Sequence, residues 1–280
     1  MTESAAVALP DGRRLAYREW GDPHGPAVVL FHGAPGSRRF HPDAATTADA
    51  AVRLITFDRP GYGGSARNEG RTLLDTAADV AALADHLDLD RFAVIGFSAG
   101  GPHALACAHT LGDRLHAVAV VSMPGPLDEV PGAWDALPRH VRSAAERARH
   151  EPAGAVRGVL RYMQPTVDDP STFLGGGTEP DRAVMAEPGP AAMLGADVAE
   201  AFRSGAGGFA DDMVALWRPW GFRMAELPPG SRIWHGAHDT RAAPDFEYLT
   251  ATLPAVPTVW PDAGHYGVLH HWAEILKTCL

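Results

Sequence analysis

Gly96-Phe97-Ser98-Ala99-Gly100 decides how this chain is read. The five residues fit G-x-S-x-G, and their flanks supply the context that a short pattern needs. Upstream, Arg91-Phe92-Ala93-Val94-Ile95 is an apolar run of strand type. Downstream, Gly101 to Ala108 reads as a small-residue helix with Pro102 tolerated in its first turn. A serine on so tight a strand-to-helix turn is held in a strained backbone conformation, its hydroxyl pushed out above the sheet. Gly96 and Gly100 suit a place where strand and helix come too close for a Cβ atom. Ser98 is therefore the candidate nucleophile. The plainer alternative, a glycine-rich turn, does not account for the strand before it and the helix after it.

Outward from that turn, strands alternate with helices. Arg14 to Trp20, Ala27 to Phe31, Val52 to Phe57, Phe92 to Phe97 and Leu115 to Met123 read as strands. Thr72 opens a helix with Asp75 at capping-box distance, and Leu73, Leu74, Ala77, Val80, Leu83, Ala84 and Leu87 follow at helical spacing. Continuous apolar strands between helices indicate an α/β fold, a mostly parallel sheet covered by helices on both faces. From Pro124 to about Glu226 the texture changes to many Gly and Pro, scattered Met and Trp, and short helical stretches such as Leu137 to Arg149. Alternation resumes with Ser231 to His235 (strand), Phe246 to Leu253 (helix), Thr258 to Pro261 (strand) and Tyr266 to Leu276 (helix). The expected organisation is a core domain from residues 1–123 and 227–280, with 124–226 inserted as a mainly helical cap.

A serine hydroxyl needs a base, an acid to orient that base, and donors for an oxyanion. His265 lies in Pro261-Asp262-Ala263-Gly264-His265, just after the last predicted strand, and is the candidate base. Asp239, in His235-Gly236-Ala237-His238-Asp239, follows the preceding strand and is the candidate acid. Asp128 is an alternative acid after the strand ending near Met123, whereas Asp262 reads as a turn residue. Oxyanion donors are expected from the backbone N–H of Ala99 and from the loop Phe31-His32-Gly33-Ala34-Pro35-Gly36-Ser37. Pro35 has no N–H, which leaves Ala34 as the donor there.

With these residues in place the chain resembles the α/β-hydrolase fold superfamily, in the branch with a His-Gly-x oxyanion loop. The likeness runs from Arg14 to the C-terminus through His32-Gly33-Ala34, Asp58-Arg59-Pro60-Gly61-Tyr62-Gly63-Gly64-Ser65, the Ser98 elbow, His235 to Asp239, and Gly264-His265. It implies an eight-stranded, mostly parallel sheet, a cap after the sixth strand, a Ser98-His265-Asp239 triad in the order Ser, Asp, His along the chain, and no cofactor. Pro219-Trp220-Gly221-Phe222 and the loop from His32 to Arg38 resemble a subgroup of bacterial and plant hydrolases whose substrates are largely unassigned. Arg241-Ala242-Ala243-Pro244 departs from relatives that often carry Val before the Pro, which touches packing under the acid loop.

Composition excludes other classes. The 280 residues carry a formal net charge of −10, which argues against nucleic acid or an anionic membrane as partner. No apolar run approaches the ~18 residues of a membrane span, and Met1-Thr2-Glu3-Ser4 shows no secretory pattern. Cys107 and Cys279 lack metal spacing, so a reducing cytoplasm is expected. Lys277 is the only lysine, which removes P-loop and Schiff-base chemistry. Gly61 to Ala66 and Gly205 to Ala210 both fit a relaxed dinucleotide pattern, but neither opens a helix straight from a strand. The histidines show no zinc motif, and Arg142, Arg147, Arg149 and Arg161 read as a solvated helix face.

The expectation is thus a serine hydrolase cleaving a small to medium, partly apolar ester, with Met163, Met185, Met193, Met213, Trp134, Trp217 and Trp220 either lining the cap or forming its core. The same triad could instead break a carbon–carbon bond beside a ketone or perform cofactor-free perhydrolysis. A small-molecule receptor with little turnover is the rival from another class. Epoxide hydrolase and haloalkane dehalogenase chemistry needs a carboxylate at the elbow, where this chain has Ser98. The partner is a small-molecule substrate, with oligomeric state left open.

Overall fold

Val28, Val29, Leu30 and Phe31 show how the strands build the protein. In the computed structural model, which describes residues 5–227, 230–240 and 243–280, Val29 and Phe31 enter one hydrophobic cluster while Val28 and Leu30 enter another. Successive side chains of a strand point to opposite faces, so an unbroken apolar run is buried on both. The same division holds at Phe92 and Val94 against Ala93 and Ile95.

The sheet contains eight strands: β1 (Ala5–Ala8), β2 (Arg14–Gly21), β3 (Ala27–Phe31), β4 (Arg53–Phe57), β5 (Phe92–Phe97), β6 (Leu115–Val121), β7 (Ser231–Gly236) and β8 (Ala255–Trp260). Their spatial order is β1-β2-β4-β3-β5-β6-β7-β8. β1 and β2, and β2 and β4, pair antiparallel, and every other neighbouring pair is parallel. Helices α1 (Ala44–Asp49), α2 (Leu73–His86) and α3 (Gly100–Leu111) connect strands of the first half. At the start of α2, Thr72 and Asp75 form the reciprocal capping box that their spacing predicts.

Between β6 and β7 the chain runs through α4 (Ala133–Ala136), α5 (Arg139–His150), α6 (Pro152–Asp168), α7 (Glu179–Ala186), α8 (Pro188–Ala201) and α9 (Gly207–Trp217). This block is far more helical than the short stretches expected, because several of its prolines start helices and Pro165, inside α6, does not end one. Pro152 and Pro188 are the first residues of α6 and α8, where the missing N–H costs nothing and the fixed φ favours the helix. After β7 come α10 (Ala243–Thr252), β8 and α11 (Trp272–Lys277).

Other differences are local. β1 carries no strand signature and exists by pairing with β2. β6 ends at Val121 rather than Met123, because Ser122 turns to φ 50° and its N–H donates to the Trp234 carbonyl. The helix expected over Tyr266 to Leu276 is a 3-10 turn, His265–Leu269, followed by the separate α11. Arg241 and Ala242, in the departure noted after Asp239, lie outside the described residues. No described helix is long and apolar enough to cross a membrane.

Candidate active site

Ser98 sits where β5 turns into α3, at φ 51°, a left-handed conformation that a side chain disfavours. The turn is fixed by Ser98 N–H donating to the Val121 carbonyl (2.8 Å) and Gly101 N–H donating to the Ser98 carbonyl (2.9 Å). A Cβ on Gly96 would lie 2.6 Å from the Gly100 carbonyl oxygen, and one on Gly100 would lie 2.4 Å from that of Phe31. Only glycine fits either position.

His265 Nε2 lies 3.0 Å from Ser98 Oγ, and His265 Nδ1 lies 2.8 Å from Asp239 Oδ2. The three residues converge from 167 and 26 positions apart along the chain. His265 is 5% exposed and Asp239 1%. A neutral imidazole bridging these partners donates from Nδ1 to the carboxylate and accepts the serine proton at Nε2. The acid turn is pinned to the end of β8: Ala237 N–H donates to the Trp260 carbonyl and His238 N–H to that of Ala263, both at 2.9 Å. Asp128 is elsewhere, held on the surface by Arg149 at 2.5 and 2.6 Å, and Asp262 is exposed.

Ala34 lines a slot of about 40 Å3 together with Ser98, His265 and Phe97. Among the described residues, neither the Ala34 N–H nor the Ala99 N–H donates a hydrogen bond within the protein. Residues of the helical block close the slot from the other side, namely Phe173, Leu174, Leu194, Asp197 and Val198. Phe173 also borders a larger, mainly apolar cavity of about 560 Å3, lined in part by Val159, Met163, Phe209, Met213 and Trp217. The large side chains of the block thus divide. Met163, Met213 and Trp217 face this cavity, Met185 and Met193 pack on one core cluster, Trp220 is buried in the other, and Trp134 lies under Arg149.

A buried ionic network behind the loop was not foreseen. Arg59 donates to the carbonyl oxygens of His32 and of Gly33, the latter at 2.9 Å. It also donates to Asp212 Oδ2 from Nε (3.0 Å) and Nη2 (2.6 Å), and the Tyr62 hydroxyl donates to the same oxygen at 2.8 Å. Arg71 Nη2 supplies the other oxygen of Asp212. Burial alone would raise the Asp212 carboxyl, but the two guanidinium groups outweigh it and hold it well below the usual carboxylate range. Burial, reinforced by Arg59, keeps His32 neutral. Its contacts fix the tautomer: Nδ1–H donates to the Gly33 carbonyl (2.6 Å), and Nε2 accepts from Arg59 N–H (3.3 Å).

Two further clamps act on the same loop. Asp58 accepts from Arg38 N–H (2.6 Å), from the Arg38 guanidinium and from Gly64 N–H (2.7 Å), while Arg38 also reaches Glu200 of α8 at 2.7 Å. Asp197 of α8 accepts from both the N–H and the hydroxyl of Ser37, each at 2.7 Å. Near the base, Asp181 of α7 accepts from Tyr266 N–H (3.0 Å) while closing a capping box with Thr178. Asp181, Asp197, Glu200 and Asp212 all come from the helical block, where acids in helices read as solvent-facing. Their signal was position: Leu194, Asp197, Val198 and Ala201 share one buried face of α8, and Gly208, Asp212, Ala215 and Leu216 one of α9.

Comparison with known proteins agrees with this architecture. A family profile described as alpha/beta hydrolase fold matches residues 26–154. Proline iminopeptidase of Xylella fastidiosa is 38% identical over 118 residues, 39% of this chain and 36% of that protein. The chain spans about a third of the length of the curated relatives it matches. Among solved structures, bromoperoxidase from Bacillus anthracis superposes with a TM-score of 0.73 at 20% identity, covering 98% of both chains. The esterase EaEST from Exiguobacterium antarcticum gives a TM-score of 0.71 at 18% identity, over 99% of this chain and 98% of that one.

Proposed function

We propose that this chain, which belongs to the α/β-hydrolase fold superfamily, is a serine hydrolase that cleaves a small to medium, partly apolar carboxylic ester. The observation that carries the reading is the continuous chain of contacts Ser98 Oγ to His265 Nε2 (3.0 Å) and His265 Nδ1 to Asp239 (2.8 Å). In the mechanism, Ser98 attacks the ester carbonyl as His265 takes its proton, and Asp239 holds the imidazole and stabilises the imidazolium. The N–H groups of Ala34 and Ala99 receive the oxyanion, each such donor contributing ~3 kcal/mol. His265 then returns the proton to the departing alcohol, and a water molecule hydrolyses the acyl-enzyme by the reverse sequence. An ester suits the site better than an extended peptide, because the slot at Ser98 is small and what adjoins it is an apolar cavity of about 560 Å3.

The test combines a panel of short-acyl p-nitrophenyl esters with mass-spectrometric mapping of a fluorophosphonate adduct. Expected are turnover that disappears in Ser98→Ala and an adduct on Ser98. An adduct on another residue overturns the site. Ligand binding that persists in Ser98→Ala, without turnover in either protein, replaces the enzyme with a receptor.

A further inference from the structure

Asp197 does not fit the pattern of the other buried acids around the oxyanion loop. Asp58, Glu200 and Asp212 each meet an arginine. Asp197 is 3% exposed and lines the catalytic slot beside Phe97, Phe173, Leu194 and Val198. Both hydrogen bonds from Ser37 go to Oδ1. Among the described residues nothing donates to Oδ2, yet Oδ2 is not one of the polar atoms sealed away from solvent without a partner. Asp197 is itself part of the wall of the slot that holds Ser98 and His265, so the slot is the space from which a donor can reach Oδ2. Burial, with Asp58 adding to it, pushes the carboxyl up to about 7. Holding Ser37 does not require such a group, since an amide oxygen accepts the same two bonds without the cost of a buried half-satisfied acid.

We infer that Asp197 is a specificity-determining residue, whose Oδ2 accepts a hydrogen bond from a hydroxyl or ammonium group on the substrate held at Ser98. The inference rests on the serine-hydrolase reading and narrows it. The slot is small enough that the donor must lie close to the reacting carbonyl, so the substrate class is esters of short hydroxy or amino acids. An unsubstituted acyl group leaves Oδ2 unpaired on binding, and a site that loses a polar contact in this way discriminates strongly.

The experiment compares ethyl esters of propionate, lactate, 3-hydroxypropionate, alanine and β-alanine by pH-stat titration in wild type and two variants. In wild type at least one donor-bearing ester exceeds ethyl propionate in kcat/KM by ~10-fold or more. The hydroxy and amino arms identify which donor the site takes. Asp197→Asn removes the charge, so an ammonium advantage collapses whereas a hydroxyl advantage survives in part. Asp197→Leu combined with Ser37→Ala, checked for folding by its melting transition, erases either advantage. A merely structural role for Asp197 lowers all five rates together and leaves their ratios unchanged, which overturns the assignment. So does a wild-type enzyme that prefers ethyl propionate to every donor-bearing ester. If ethyl propionate turnover still depends on Ser98 in that case, the hydrolase reading stands without the inference. If no ester turns over and fluorophosphonate does not label Ser98, both fall.

Discussion

Asp239 and Asp212 are both buried aspartates serving the surroundings of Ser98, and they are partnered in opposite ways. Asp239 meets an imidazole, a group able to take up and hand on a proton. Asp212 meets two guanidinium groups and a phenol, none of which gives up its proton near neutrality, and a fully buried imidazole, His103 Nε2 at 3.3 Å, which burial pushes down to about 4 and so keeps neutral there. A buried carboxylate suited to answer a moving proton is placed against a group that can carry one. One that must hold a loop still is saturated by groups that do not. Burial is the same in the two cases, and the partner decides whether the charge is chemistry or scaffolding.

Replacing each acid tests that distinction. Asp239→Asn is expected to lower kcat by about 10^4-fold, because the amide favours the wrong imidazole tautomer. Ester turnover and thermal melting measured together check it, and an undiminished kcat breaks the comparison at its catalytic end. Asp212→Ala leaves the buried Arg59 guanidinium without its anion and Arg71 with only Asp211 at 3.4 Å, and is expected to destabilise the fold by about 3–5 kcal/mol. Denaturant unfolding reads that loss. A variant as stable as wild type shows that the network is not scaffolding.

Asp197 lies between these extremes. Its carboxyl is raised from 3.8 to about 7 by burial, with Asp58 raising it and Arg59 lowering it in turn. A raised carboxyl favours the protonated folded state at low pH, and the penalty for ionising it grows as pH climbs from about 4 to about 7. Asp197→Asn should therefore gain stability relative to wild type between pH 5 and pH 8, by on the order of 2–3 kcal/mol. Melting curves of both proteins at the two pH values measure it, and a constant difference removes Asp197 from this intermediate position. The smallest effect belongs to Asp75, an exposed acid that only caps α2. Asp75→Ala is expected to cost about 1 kcal/mol in denaturant unfolding, with kcat unchanged.

The difference between Asp239 and Asp212 also explains what could be read in the sequence. Ser98, Asp239 and His265 each follow an apolar strand, and parallel strands bring such loops to one edge of the sheet. Chain order and strand period were enough to expect these three side chains together at that edge. Asp212 sits inside α9, and Arg59, Tyr62 and Arg71, which donate to it, lie 153, 150 and 141 positions away, so nothing local marks it. The faint sign was an acid on the apolar stripe of a helix. The helices around it were hidden for another reason: Pro152, Pro180 and Pro188 suggest broken chain unless they are recognised as helix starts. β1 was invisible because Ala5 to Ala8 becomes a strand only against β2.

Arg59 carries a consequence for the direction of a dipole. A trans peptide unit holds its carbonyl and its N–H on opposite edges. By drawing the Gly33 oxygen inward, the guanidinium turns the following N–H, that of Ala34, the other way. A cation buried behind the loop therefore sets which way the Ala34 N–H faces. Its two-pronged shape matters as much as its charge, because both the His32 and Gly33 oxygens must be gripped while Asp212 is held from the same plane. An ammonium group there would keep the electrostatics and lose the aim.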